Sequence, residues 1–159
     1  MNDAFAIDLK AFVPAKDIAI SKRFYTDLGF KENWANHQIA EFEIGSFRFL
    51  LQHFYVQPHA ENFMMQLMVE DADLWWEHIE YIGLKKKYFG ITASPPKLQP
   101  WGLRVLYLSD PTGVLWHIAA GRKHYKILKL KYFKKIIEIP TSLKTFSFNT
   151  FFKRSFMFK

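Results

Sequence analysis

Apolar and polar positions along this chain change their period in a fixed order, and the order then repeats. Residues 4–13 alternate loosely, as a strand does, until Pro14 ends the run. Asp17 stands where a helix N-cap belongs; Ile20, Phe24 and Leu28 then recur every four residues, and Gly29 supplies the stop. Three strand-like pieces follow at 30–35, 38–44 and 46–53, and Gly45-Ser46 marks a hairpin turn between the last two. The pattern then restarts. A strand is expected over 62–69, and Glu70-Asp71 opens a helix whose apolar stripe is Leu74, Trp75, His78, Ile79 and Ile82, closed by Gly83. A short strand is expected at 88–91, a Pro-rich loop at 92–100, and two strands at 102–109 and 114–120. Asp110-Pro111-Thr112-Gly113 joins that last pair with proline second and glycine fourth, which suits a type I turn.

The implied class is α+β: two βαβββ modules, at about 4–53 and 62–120, in a domain spanning 1–121. Each module leaves one sheet face open. Two together are expected to close a cup-shaped mixed sheet with the helices outside, its apolar walls and few polar groups suited to a small ligand.

Charge and composition then narrow the partners. The net charge of +7 comes from the tail: residues 1–121 hold 11 Lys and Arg against 14 Asp and Glu, whereas 122–159 hold 11 against Glu138 alone. The mildly acidic front does not suggest nucleic acid. With no cysteine there is no disulfide, thiolate metal site or cysteine nucleophile. The start has neither a basic segment nor a long apolar run, and no stretch is long enough to span a membrane, so a cytoplasmic protein is expected. The 122–159 tail is basic and carries seven of the 17 phenylalanines. It reads either as a segment with an amphipathic helix over 123–139, the one place where membrane contact is expected, or as an out-of-frame extension of A/T-rich coding sequence.

Two stretches carry a resemblance. Asp17 to Phe30, DIAISKRFYTDLGF, and Trp101 to Ala120, WGLRVLYLSDPTGVLWHIAA, resemble the first helix and the closing strands of the glyoxalase/bleomycin resistance/dioxygenase (vicinal oxygen chelate) superfamily. Glu61 to Ile79 fits the start of its second module. Pro100-Trp101-Gly102, Asp110 to Gly113 and His117 are most similar to bleomycin resistance proteins. The resemblance implies a domain-swapped homodimer that sequesters a bleomycin-like or other planar ligand without chemistry, a role in antibiotic resistance, and no cofactor. The alternative it implies is an enzyme of lyase, isomerase, dioxygenase or thiol-transferase type with one divalent metal.

The metal positions of the superfamily's enzymes fall on Lys10, Gln52, Met64 and His117. A protonated lysine has no lone pair and a thioether is a poor ligand for hard divalent ions, which leaves Gln52 and His117. A catalytic site normally takes three protein ligands, and a one-residue slip would bring in His53 or Asp8. For ligand binding, the resemblance implies Trp101 and Gly102 as a stacking platform, with the opposing groove position at Ile39 and Trp34 as its substitute. Strand alternation adds Arg48 and Gln52 on one face of the fourth strand and Gln66, between Met64 and Met68, on one face of the fifth. His117 alternates with Trp116, so it is either cup-lining or a satisfied core histidine. Arg48 would favour an anion and Glu41 and Glu43 a cation, which leaves the ligand's charge open. His37, His59, His78 and His124 make no ligand pair.

Overall fold

The computed structural model describes residues 5–121. Its order is β1 (Phe12–Pro14), α1 (Ile18–Leu28), β2 (Lys31–Ala35), β3 (Ile39–Ile44), β4 (Phe47–Gln52), α2 (Gln57–Glu61), β5 (Met64–Met68), α3 (Ala72–Tyr81), α4 (Leu84–Lys87), β6 (Ala93–Leu98), β7 (Leu103–Ser109) and β8 (Leu115–Gly121). The strands form two four-stranded mixed sheets, ordered β1-β4-β3-β2 and β5-β8-β7-β6. Each has one parallel pair, β1 with β4 and β5 with β8, and two antiparallel pairs. The two modules therefore share one topology. The tail, with the readings attached to it, lies outside the described residues.

Local chemistry sets the boundaries. The Asp17 carboxylate accepts from the Ile20 N–H at 2.9 Å, and Gly29 ends α1 at φ 110°, a conformation that costs a side chain but not glycine. Asp71 caps α3 by accepting from Asp73 and Leu74. In the β7–β8 turn the Gly113 N–H reaches the Asp110 carbonyl at 3.1 Å, while the Asp110 carboxylate takes the N–H groups of Thr112 and Val114.

Three expectations change. Residues 5–11 do not extend the first strand: pairing begins only at Phe12, because β1 is an edge with a single neighbour. The strand expected at 88–91 is absent. Tyr88 closes α4, Gly90 turns at φ 82°, and the strand is instead β6, which includes Pro95 and Pro96. Prolines fit there because β6 is an edge strand with an irregular register between Ser94 and Lys97, so few ladder N–H groups are required. Gly83 does more than end α3, since at φ 62° it also starts α4. A short helix, α2, was signalled by nothing in the periodicity. In α3, His78 and Ile79 are buried as the stripe requires, whereas Leu74 is 38% exposed.

The two modules are joined by an aromatic core. Tyr25 of α1 lies 5.0–5.8 Å, centroid to centroid, from Phe30, Phe42, Phe49 and Trp116. Its hydroxyl donates to the Asp110 carboxylate at 2.7 Å and accepts from the Trp116 indole N–H at 3.1 Å. Nearby, Thr112 accepts from the Lys16 N–H and shares a hydrogen bond with Ser21. Asp110 is 1% exposed. Burial pushes its carboxyl up to about 6 despite the hydrogen bonds from Tyr25 and the turn N–H groups, and burial, then the neighbouring carboxylate, raises the Tyr25 phenol well above its usual range.

Replacing Tyr25 with Phe strands a buried carboxylate and an indole N–H, and is expected to cost about 1–3 kcal/mol in urea unfolding. The Asp110 carboxyl also sets a pH dependence. Its folded pKa of about 6 lies above the ordinary 3.8, so the stability it contributes is full below pH 4 and lost as pH rises to 6. The loss is roughly 3 kcal/mol. Asp110→Asn removes this titration, so wild-type stability minus variant stability is expected to fall between pH 4 and 6. A difference that stays flat in denaturant melts over that range would reject the assignment.

Candidate functional site

Each sheet presents one face to the aromatic core and helices and leaves the other open. On the first sheet the open face carries three facing pairs from β3 and β4: Ile39 with Gln52, Glu41 with Leu50, and Glu43 with Arg48. Trp34 of β2 lies beside Glu41 and is 47% exposed. Lys10 reaches over from the N-terminal segment, 2.6 Å from Asp8 and 3.0 Å from Glu41. The Arg48 guanidinium contacts Glu43 at 2.8 Å and Asp8 at 3.9 Å. The Asn33 amide donates to both Glu41 and Glu43.

This network holds its own charges. The Asn33 amide and then Lys10 lower the Glu41 carboxyl; Arg48 and then Asn33 lower Glu43; the Lys10 hydrogen bond lowers Asp8. Lys10 and Arg48 are raised in return, chiefly by Asp8 and Glu43 respectively. Both cations are committed to carboxylates, of which there are three.

On the second sheet the open face is softer. Met64, Gln66 and Met68 of β5 lie beside Leu115, His117 and Ala119 of β8. The His117 ring meets Tyr107 of β7 edge-on, centroids 4.8 Å apart. The Gln66 amide donates to the Met68 sulfur at 3.2 Å. Trp101 and Gly102 form the β6–β7 turn: the Gly102 N–H bonds the Gln99 carbonyl, Gly102 has φ 89°, and Trp101 is 60% exposed.

The alternation argument therefore holds for Trp116, which is buried at 3%, and for His117 on the opposite face. Ile39, Trp34 and Gln52 belong to one open face, His117 to the other, and Trp101 to a separate turn. Ile39 faces Gln52 within the first sheet and Gln66 lies beside His117 within the second, while Arg48 and Gln66, from different sheets, line one cleft between β4 and β5 with Lys10 and Met68. Two participants went unnoticed in the sequence. Asn33 could have been found from its place beside two facing acids, whereas nothing local marked Tyr107.

The four positions that a superfamily metal would require do not fit one. Lys10 is tied up as a cation and Met64 offers a thioether, which leaves Gln52 and His117, two donors where a catalytic metal normally takes three. Among the described residues no group of three or more His, Cys, Asp or Glu converges. The alternatives do not complete the set, since Asp8 is held by Lys10 and His53 follows β4 outside the ladder. Among the described residues, no helix is long and apolar enough to cross a membrane.

Comparison with known proteins bears on the fold. A solved bleomycin-binding protein in complex with bleomycin aligns with a TM-score of 0.64 at 22% identity, covering 74% of this chain and all of its own. The bleomycin resistance determinant encoded on the transposon Tn5 aligns with a TM-score of 0.62 at 23% identity, over 74% of this chain and 99% of its own. The bleomycin-binding protein of bleomycin-producing Streptomyces verticillus, complexed with copper(II)-bleomycin, gives 0.60 at 23% identity over 74% of this chain and 100% of its own. No curated protein matches the chain by sequence. The family model for the Glyoxalase/Bleomycin resistance protein/Dioxygenase superfamily matches residues 8–118, the span that contains both modules and the interlocked Tyr25 and Asp110 motifs. The chain belongs to that superfamily.

Proposed function

We propose that the chain is a cytoplasmic, dimeric binding protein that sequesters a bleomycin-like or other planar small molecule without chemistry and without a cofactor, and so confers resistance to it. The observation that carries this reading is the Lys10 ammonium, held between Asp8 and Glu41 where an enzyme of the superfamily would place a metal ligand. Bleomycin bound to two of the solved relatives supports the ligand class.

A second copy is part of the reading. One face carries Trp34 and Gln52, the other His117 and Gln66, and in one chain they do not meet. A partner laying its second sheet against the first sheet of this chain would close the cup, with Trp101 at its mouth as a stacking surface. Exposed apolar side chains support such a contact. Phe5, Ile7 and Leu9 are 84–98% exposed, and Met64, Met68 and Trp101 at least half exposed, more than a monomer usually leaves open.

Titration with metal-free bleomycin is expected to quench tryptophan fluorescence at micromolar protein; no quenching would remove bleomycin as the ligand. Trp101→Ala is expected to weaken that binding about tenfold, a loss of about 1.4 kcal/mol. In light scattering the mass is expected at twice the chain's 18.9 kDa. Stoichiometric nickel, zinc, iron or manganese in the purified protein would overturn the non-catalytic assignment.

A further inference from the structure

On β5 and β8 the open face of the second sheet carries two thioethers and an imidazole, and no carboxylate. In the register of these strands Gln66 lies beside His117, so Met64 and Met68 stand diagonally on either side of that histidine. Strand spacing and rise put each methionine Cα roughly 8 Å from the His117 Cα, within reach of a long side chain. Met64 is 63% exposed and Met68 50%, and an unbranched side chain on an open face turns without displacing a packed neighbour. The Met68 sulfur already lies over this face, where it accepts the Gln66 amide N–H at 3.2 Å. Tyr107 braces the imidazole edge-on at 4.8 Å. Among the described residues neither ring nitrogen of His117 has a hydrogen-bond partner.

Donor type decides what such a set takes. Thioethers bind hard divalent ions poorly and select copper(I), a soft monovalent ion that imidazole also suits. Lys10 and Arg48 line the cleft at the Met68 end, but carboxylates pair with both at 2.6–3.0 Å. Selection on this face therefore rests on softness rather than on net charge.

From this juxtaposition we propose that Met64, Met68 and His117 form a copper(I) site, one ion per chain, held by two thioether sulfurs and one imidazole nitrogen. The ion is a ligand of the protein and takes no part in the sequestration proposed above. All three donors come from one chain, so the site needs neither the partner subunit nor the planar ligand.

The test is a competition for copper(I), supplied as its acetonitrile complex under argon, between the full chain and bicinchoninate, whose copper(I) complex is coloured. The chain is expected to withdraw one copper(I), and an excess of zinc(II) is expected not to displace it. Met64→Leu, Met68→Leu and His117→Asn, each checked for cooperative melting, are expected to weaken copper(I) binding at least tenfold, about 1.4 kcal/mol. Met65→Leu is the control: it lies on the same strand, faces the core beside Trp116, and leaves the affinity unchanged. Leucine keeps methionine's volume and polarity, so if His117→Asn does not fold, the two leucine variants carry the comparison. No withdrawal of copper(I), displacement by zinc(II), unchanged affinity in any folded donor variant, or an equal loss in Met65→Leu would overturn the site. Copper(I) uptake by a chain that neither dimerises nor binds bleomycin leaves the site standing. Bleomycin binding without copper(I) uptake overturns this site alone.

Discussion

The hydrogen bond from the Tyr25 hydroxyl to the buried Asp110 carboxylate is the constraint on which the arrangement of the two modules depends. Tyr25 belongs to the first module's helix and Asp110 to the second module's last turn, 85 positions along the chain. A carboxylate this deep is costly unless its oxygens are satisfied. Among the described residues no cation stands beside Asp110, which is held by a phenol and the turn's own N–H groups, while the Trp116 indole satisfies the phenol from the other side. Sliding one module against the other would strand all three groups at once. The packing of five aromatic rings around Tyr25 is thereby tied to a single register.

That register decides which faces remain open. Once Phe42, Phe49 and Trp116 turn toward Tyr25, strand alternation sends Glu41, Arg48, Gln66 and His117 outward. The outward side chains are therefore polar or soft for a geometric reason as well as a chemical one. On the first sheet Lys10 and Arg48 pair with three carboxylates, and Lys31 stands beside one of them, Glu43. On the second are two methionines and an imidazole braced by Tyr107. The superfamily's enzymes would need metal ligands among these same positions. Here one such position is occupied by an ammonium in an ion-pair network.

Much of the architecture was legible because its signals are local. The Asp17 and Asp71 caps, the Gly29 and Gly45 turns, and the Asp110 to Gly113 turn each act within a few residues of themselves, so their meaning survives any tertiary context. The alternation that separates Trp116 from His117 is equally local. β6 was missed because its two prolines argue against a strand, and only its position at a sheet edge removes the need for their N–H groups. Residues 5–11 were misread for the converse reason: alternation was present, but the ladder with β4 begins only at Phe12.

The sequence by itself therefore determined the doubled module and the residues on each strand face, since both depend on short-range period. The tertiary structure alone decided which faces meet. It brought Tyr25 to Asp110, drew Asn33 and Asp8 into the charge network, and opened a cleft between β4 and β5. These are contacts between residues tens of positions apart, and periodicity carries no information about them. They follow from the packing of one aromatic core around a single satisfied carboxylate.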